Sequence, residues 1–234
     1  MTTLLAIDTA TTACSVALAV DGEVRQQFVA TPREHTRLVL PMVDALLAEA
    51  GIALSAVDAI AFTAGPGSFT GLRIGFGVVQ GLAFGTDLPV IPLSTLAVMA
   101  RSASNRSDFI EGLVLPALDA RMGELYWGVY RVADGLVEAV IADGVSAPAA
   151  VAERVSGAID LGVGDGWGQL APLLDAGSID TALTPDAASA IALATPIYAG
   201  GGARPVDQVE LIYIRNEVTW KKRQKIRNEA PGSP

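Results

Sequence analysis

The run Thr63-Ala64-Gly65-Pro66-Gly67-Ser68-Phe69-Thr70-Gly71-Leu72-Arg73-Ile74-Gly75 decides how the rest of this chain is read. An apolar stretch at 57–62 leads into it, with the length and bounds of a buried strand. A longer apolar segment, to about residue 84, follows with the character of a helix. Strand, Gly-Pro-Gly turn and helix N-terminus in direct succession point several backbone N–H groups outward together. First-turn donors are unpaired and the helix dipole is positive there, so the loop suits an anion. Ser68 and Thr70 both qualify as N-caps. A tight strand-to-helix turn that binds nothing fits the same residues.

The helix launched by this loop has an unusual glycine pattern. Gly77, Gly81 and Gly85 recur every four residues, and Gly71 and Gly75 form a second such pair. Each glycine inside a helix costs about 1 kcal/mol relative to alanine, so this many require a return. Spacing by four places them on one face, where they flatten a groove that another helix can approach closely. Leu72, Ile74, Phe76, Val78, Val79, Leu82 and Phe84 make the remaining surface apolar nearly all round. The preceding helical segment, 38–50, carries one stripe with Leu38, Met42, Ala45 and Leu46 and an adjacent one with Val39, Val43, Leu47 and Ala50. That arc is too wide for a single contact. Pro41 should kink the segment or mark its first turn, and Gly51 is a fitting stop. We expect the two helices to form a surface buried against a partner, carried by Leu38, Met42, Val43, Leu46, Arg73, Ile74, Gly77, Val78, Gly81 and Phe84.

Composition narrows the chemistry. The 234 residues can bury one large core or two small ones. With 51% hydrophobic and 18% charged residues the chain reads as ordered and globular. A net charge of −9 argues against direct capture of nucleic acid, which needs a basic face. Cys14 and His35 are single, so neither a disulfide framework nor a Cys/His metal site is available. A hydrolytic triad would have to use His35, which we read as a capping or hydrogen-bonding residue. No signal peptide or membrane span is evident, which points to the cytoplasm.

In chain order, short strands at 4–7, 15–20 and 24–30 open the chain, with Asp21-Gly22 as a hairpin signal. Asp8, followed by Thr9, ends the first strand. Its carboxylate can hold a metal ion, orient a water near a phosphate, or cap the turn at Thr11 or Thr12. A strand at 90–92 and a helix capped by Ser94 close the first half, and the polar stretch 102–108 marks a boundary. The second half repeats the order: strands at 113–115, 125–130 and 136–142, a helix capped near Ser146 with Pro148 in its first turn, then a strand at 159–164. Asp119-Ala120-Arg121 occupies the place of Asp8-Thr9, and Gly162-Val163-Gly164-Asp165-Gly166 is a second Gly-rich turn able to cradle phosphate or adenosine. The divisions are 1–105, 106–210, and a 211–234 segment that packs back on the first lobe. Its basic cluster (Lys221, Lys222, Arg223, Lys225 and Arg227) is either a solvated end or a contact for tRNA or an acidic partner.

These residues resemble the TsaB (YeaZ) family. Leu5-Ala6-Ile7-Asp8-Thr9, Cys14-Ser15-Val16-Ala17, Arg33-Glu34-His35 with Leu40-Pro41, the full Gly65–Gly75 run, Asp119-Ala120-Arg121 with Glu124 and Tyr126, and Tyr213-Ile214-Arg215-Asn216-Glu217-Val218 carry the likeness in order. The resemblance implies an α/β fold of two RNase H-like lobes of the actin/sugar-kinase/Hsp70-like ATPase superfamily, each a mixed sheet with flanking helices. It also implies a non-catalytic scaffold that binds and activates the TsaD transferase, which threonylcarbamoylates the adenosine beside the anticodon of tRNAs reading codons that begin with A. The expected partners are TsaD and the ATPase TsaE, with tRNA reached through the complex and a homodimer in their absence. TsaD carries a metal on two histidines, but the matching stretch here, Ser94-Thr95-Leu96-Ala97-Val98-Met99, has none. The expectation is no metal and no intrinsic cofactor, with ATP or ADP at the partner interface. The alternative is an ATP-dependent phosphotransferase or ATPase using a phosphate site of Asp8, Thr9, Gly65, Gly67, Ser68, Asp119 and Gly164.

Overall fold

The computed structural model describes residues 2–30, 33–105, 109 and 111–214. Strands β1 (Thr3–Asp8), β2 (Cys14–Val20) and β3 (Glu23–Val29) follow one another antiparallel. The β2–β3 turn needs two residues at positive φ, which Asp21 (53°) and Gly22 (90°) supply. Helix α1 (His35–Ala50) then crosses to β4 (Ala59–Gly65), parallel to β1. Helix α2 (Phe69–Thr86) crosses to β5 (Val90–Ser94), parallel to β4.

After α3 (Thr95–Ala103) the plan repeats. Strands β6 (Gly112–Asp119), β7 (Leu125–Ala133) and β8 (Leu136–Ser146) run antiparallel, then come α4 (Pro148–Arg154), β9 (Ile159–Val163), α5 (Trp167–Leu170) and β10 (Ala176–Asp180). The sheet orders are β3-β2-β1-β4-β5 and β10-β9-β6-β7-β8. Read from its other end the second is the first again, with three antiparallel strands followed by two parallel additions. The strand pattern implies this duplication, and the order in each sheet fits the RNase H-like lobes that the family resemblance implies.

Period-2 alternation explains how the first sheet is covered on both faces. Leu5, Ile7, Val16, Leu18, Ile60 and Phe62 point to the side packed by α1 and α2. Leu4, Ala6, Ala17, Ala19, Ala59 and Ala61 point to the other side. Mostly alanine there, that face admits a helix at close range. It is filled by α6 (Ala187–Ala199) through Ala187, Ala190, Ile191 and Ala194. The first turn of α6 is satisfied by its own Asp186 and by first-lobe side chains: Asp186 accepts from the Ser189 amide, Ser15 from Ala187 and Gln26 from Ala188.

The 106–210 division therefore needs correcting in its last third. The second sheet ends at Asp180, and the chain from α6 onward packs on the first lobe. Arg204 exchanges two backbone bonds with Val90, and the Ile212 amide donates to the Ala64 carbonyl. The remainder of the tail, including the basic cluster, lies outside the described residues. Other corrections are local. Residues 63–65 continue β4 because they pair with β5, and Ser146 belongs to β8, so Ala147 precedes α4 without a side-chain cap. Pro148 at the first turn supplies the fixed φ instead.

The lobes are also joined by side chains. Ser94, which caps α3, donates to Asp143 Oδ2 at 2.5 Å, and the Tyr130 hydroxyl donates to Asp143 Oδ1. Burial holds the Asp143 carboxyl above its usual range.

Candidate functional site

Two of the chemical features singled out in the sequence, the carboxylate of Asp8 and the first glycine-rich turn, meet at the ends of β1 and β4, while the second glycine-rich turn lies in the other lobe. Asp8 is fully buried. Its Oδ1 accepts from the Thr63 hydroxyl at 2.6 Å and from the Ala10 amide at 3.2 Å, while Oδ2 has no protein partner among the described residues. The turn it braces is thus at Ala10, not at Thr11 or Thr12. Burial pushes the Asp8 carboxyl up to about 7, against the two hydrogen bonds that lower it, with a smaller upward push from Asp186.

A carboxyl raised in the fold stabilises the protein below its unfolded pKa and loses that contribution as pH climbs toward about 7. Asp8→Asn, which keeps an acceptor for Thr63, should therefore match the native chain near pH 4. At pH 8 it should be more stable, by on the order of a few kcal/mol. Urea melts at the two pH values measure this, and an unchanged pH dependence in the variant would count against it.

The phosphate-loop positions are occupied by the chain itself. Ser68 caps α2 by accepting from the Gly71 amide, so it and not Thr70 is the N-cap. Its own amide donates to the Ala10 carbonyl at 2.7 Å. A Cβ on Gly67 would overlap the Ala10 carbonyl oxygen, and one on Gly65, at φ 124°, would lie 2.5 Å from the Ile212 carbonyl oxygen. The Thr9 hydroxyl donates to the Gly71 carbonyl, and Gly71 and Gly75 lie so close to Thr9 that neither has room for a methyl group. In the second lobe Asp119 braces its own turn through the Arg121 amide and receives no approach from Asp8 in any hydrogen bond. Gly162 makes room for the Trp167 indole, whose Nε1 donates to the Leu115 carbonyl, and Gly164 and Gly166 abut Ala117. These glycines serve close internal packing, because a side chain at any of them would meet the chain's own backbone, the Thr9 hydroxyl or the Trp167 ring.

Among the described residues the one histidine and the one cysteine are hydrogen-bonded to neither a nucleophile nor a base. His35 is buried and its Nε2 lies 3.0 Å from the Ala13 carbonyl. Cys14 is buried against Met42, and burial with the nearby Asp8 raises its thiol to about 11. No group of three or more His, Cys, Asp or Glu among the described residues is placed to hold a metal ion.

What remains open is the outer face of α1 and α2. A groove of about 540 Å³ runs along it, lined by Thr36, Leu40, Arg73, Ile74, Gly77, Val78, Gly81 and Leu82. A Cβ added at Gly77, Gly81 or Gly85 meets nothing within 4 Å. The glycines of α2 thus divide into two sets: Gly71 and Gly75 pack inward on Thr9, and Gly77, Gly81 and Gly85 face outward. Phe84 is 71% exposed at the end of the face. Three residues expected on this surface are not there, since Met42, Val43 and Leu46 lie in the core beneath α1. Leu38 is half-buried against the same core. The residues that α1 does contribute, Thr36 and Leu40, were missed. They sit four apart, one position beyond the buried His35 and Val39, and that i, i+4 step is the signal that finds them.

Two sheets of the same strand order, each with flanking helices, define a two-lobed protein of actin-like fold. Over residues 29–161 the chain matches the family model described as TsaD: tRNA N6-adenosine threonylcarbamoyltransferase. It is 43% identical to the tRNA threonylcarbamoyladenosine biosynthesis protein TsaB of Escherichia coli, across 94% of this chain and 97% of that one. The TsaB of Haemophilus influenzae is 42% identical, across 94% and 96%. The solved structure of YeaZ from Pseudomonas aeruginosa superposes with a TM-score of 0.86 at 43% identity, covering 91% of this chain and all of that one. The chain belongs to the TsaB (YeaZ) family of tRNA threonylcarbamoyladenosine biosynthesis proteins. Among the described residues no helix is long and apolar enough to cross a membrane.

Proposed function

We propose that this chain is a non-catalytic subunit that docks a TsaD-type transferase on its α1–α2 face and thereby supports threonylcarbamoylation of the adenosine next to the anticodon in tRNAs reading codons that begin with A. The observation that carries this is the outward glycine set. Gly77, Gly81 and Gly85 each cost helix stability, and a Cβ at any of them would meet no other described residue within 4 Å, which supports a use in what approaches from outside. A TsaD-type partner suits the face because it shares a sequence family with residues 29–161. Two related folds can set their corresponding helix pairs against one another about an approximate two-fold axis. A second copy of this chain would take the same place when the transferase is absent.

Catalysis is assigned to the partner. A side chain at Gly65, Gly67 or Gly71 would meet the chain's own backbone, which supports the reading that any ATP or ADP the complex uses is held at the partner interface or by the partners, TsaE among them. The test is reconstitution. The chain mixed with purified transferase should co-elute on size exclusion, and tRNA modification by TsaD and TsaE should require its addition. The chain alone with ATP and Mg²⁺ should show no turnover; steady hydrolysis would favour the ATPase alternative, and modification indifferent to the chain would reject the scaffold role.

A further inference from the structure

At the N-terminal end of the groove three side chains are stacked in the open. Phe69 is 56% and Tyr213 46% exposed, with ring centroids 6.1 Å apart and planes inclined by 47°. The Arg73 guanidinium lies 3.7 Å from the Phe69 ring centroid, and its Nε donates to the Tyr213 hydroxyl at 3.3 Å. Three of the other arginines have carboxylates beside them: Arg25 meets Glu23 and Glu49, Arg37 meets Glu34, and Arg121 meets Asp119. Arg73 has no such partner among the described residues. In a chain of net charge −9 this exposed cation is held by an aromatic face and a phenol.

We propose that Phe69, Arg73 and Tyr213 form a pre-ordered anchor that receives a carboxylate side chain of the protein seated in the α1–α2 groove. This rests on the reading of that groove as the transferase-docking face. Three observations commit the anchor to an acidic group on a protein. Arg73 lines the groove together with Ile74 and Gly77, so a helix lying along Gly77 and Gly81 brings a residue near its end onto the guanidinium. The planar fork matches a carboxylate through two parallel N–H···O bonds. Stacking on Phe69 and the bond to Tyr213 restrict the side chain beforehand, so less rotamer freedom is lost on binding. Arginine and tyrosine in such a place are the residue types that dominate interface energies. An aromatic–arginine stack can also take a nucleic-acid base, but the acidic balance of the chain disfavours RNA as first partner.

The experiment compares binding of the purified transferase to the native chain and to Arg73→Lys, Arg73→Glu and Tyr213→Phe variants at two salt concentrations. Arg73→Lys keeps the charge but loses the fork and should weaken binding about 10-fold. Arg73→Glu should weaken it about 100-fold and flatten its salt dependence. Tyr213→Phe should cost about 5-fold, by removing the orienting hydroxyl. An acidic-to-lysine change on the transferase that restores binding to Arg73→Glu identifies the received carboxylate. If the native chain binds and Arg73→Glu binds within about twofold of it, the anchor is refuted while the docking face stands. Should the native chain itself not bind, the docking face and the anchor fall together. Unchanged protein binding with a lost gel shift of an anticodon stem-loop by the assembled complex would assign the stack to RNA and overturn the proposal.

Discussion

Leucine at Gly77 or Gly81 should abolish co-elution with the transferase while leaving the chain folded. Neither glycine has a neighbour within 4 Å of an added Cβ, so the side chain extends into solvent and strains nothing inside the molecule. In a complex it would stand where the partner helix must lie. Helices packed through small residues approach at the close end of the usual 8–10 Å range, and an isobutyl group there separates the two surfaces along their length. Loss of the central contact should weaken binding at least about 100-fold, as for truncation of a dominant interface residue. Size exclusion with a matched thermal melt reads both halves of the result: no complex, and an unfolding transition at or above that of the native chain. A complex of native affinity carrying leucine at both positions would remove the α1–α2 face from consideration as the docking site.

Gly71→Ala should act in the opposite way, costing about 3 kcal/mol or more of folding stability, a large part of what a domain has to lose. The methyl group would overlap the backbone carbonyl oxygen of Thr9. A carbonyl in the turn after β1 cannot rotate aside as a side chain can, so α2 would have to lift away from the sheet. That movement would also break the bond from the Thr9 hydroxyl to the Gly71 carbonyl, which is 2.8 Å long. Gly75→Ala meets the Thr9 Oγ1 instead, and Thr9→Ala should relieve it while leaving Gly71→Ala unrelieved. Gly77→Ala, with open space around it, should gain up to about 1 kcal/mol from helix propensity. Urea denaturation of the four single variants and the two double variants measures the set; equal signs at Gly71 and Gly77 would refute the division of the glycines into inward and outward groups.

Much of this is legible in the residues. The repetition of strands before helices in each half led to the duplicated sheets, because strand and helix periods are local properties. Ser94 as the cap of α3 and the Asp21-Gly22 turn were readable for the same reason. The covering of the first sheet by α6 was written in the alternation of Ala6, Ala17, Ala19, Ala59 and Ala61 with larger neighbours, a pattern that signals a close helix on one face but not which helix. Met42, Val43 and Leu46 illustrate the opposite limit. Apolar spacing places them on α1 but cannot say which part of a wide apolar arc meets the core and which part is left uncovered. Asp8 was visible as a carboxylate at a strand end, while its hydrogen-bond donors Thr63 and Ala10 and its charged neighbour Asp186 lie on three different segments.

The two lobes and a helix bearing glycines four residues apart follow from short-range pattern, and the family follows from motifs read in order. Which glycines pack inward and which face outward is set in three dimensions, because that depends on what stands opposite each missing Cβ. The Thr9 backbone and hydroxyl stand opposite Gly71 and Gly75, and the Ala10 carbonyl opposite Gly67, so the opening loop is closed by packing and its anion-binding donors are partly spent within the chain. Opposite Gly77, Gly81 and Gly85 there is open space. Identical residues at identical spacing hold the fold together at one end of α2 and leave an exposed surface at the other. The difference is one of distance in space, which spacing along the chain does not encode.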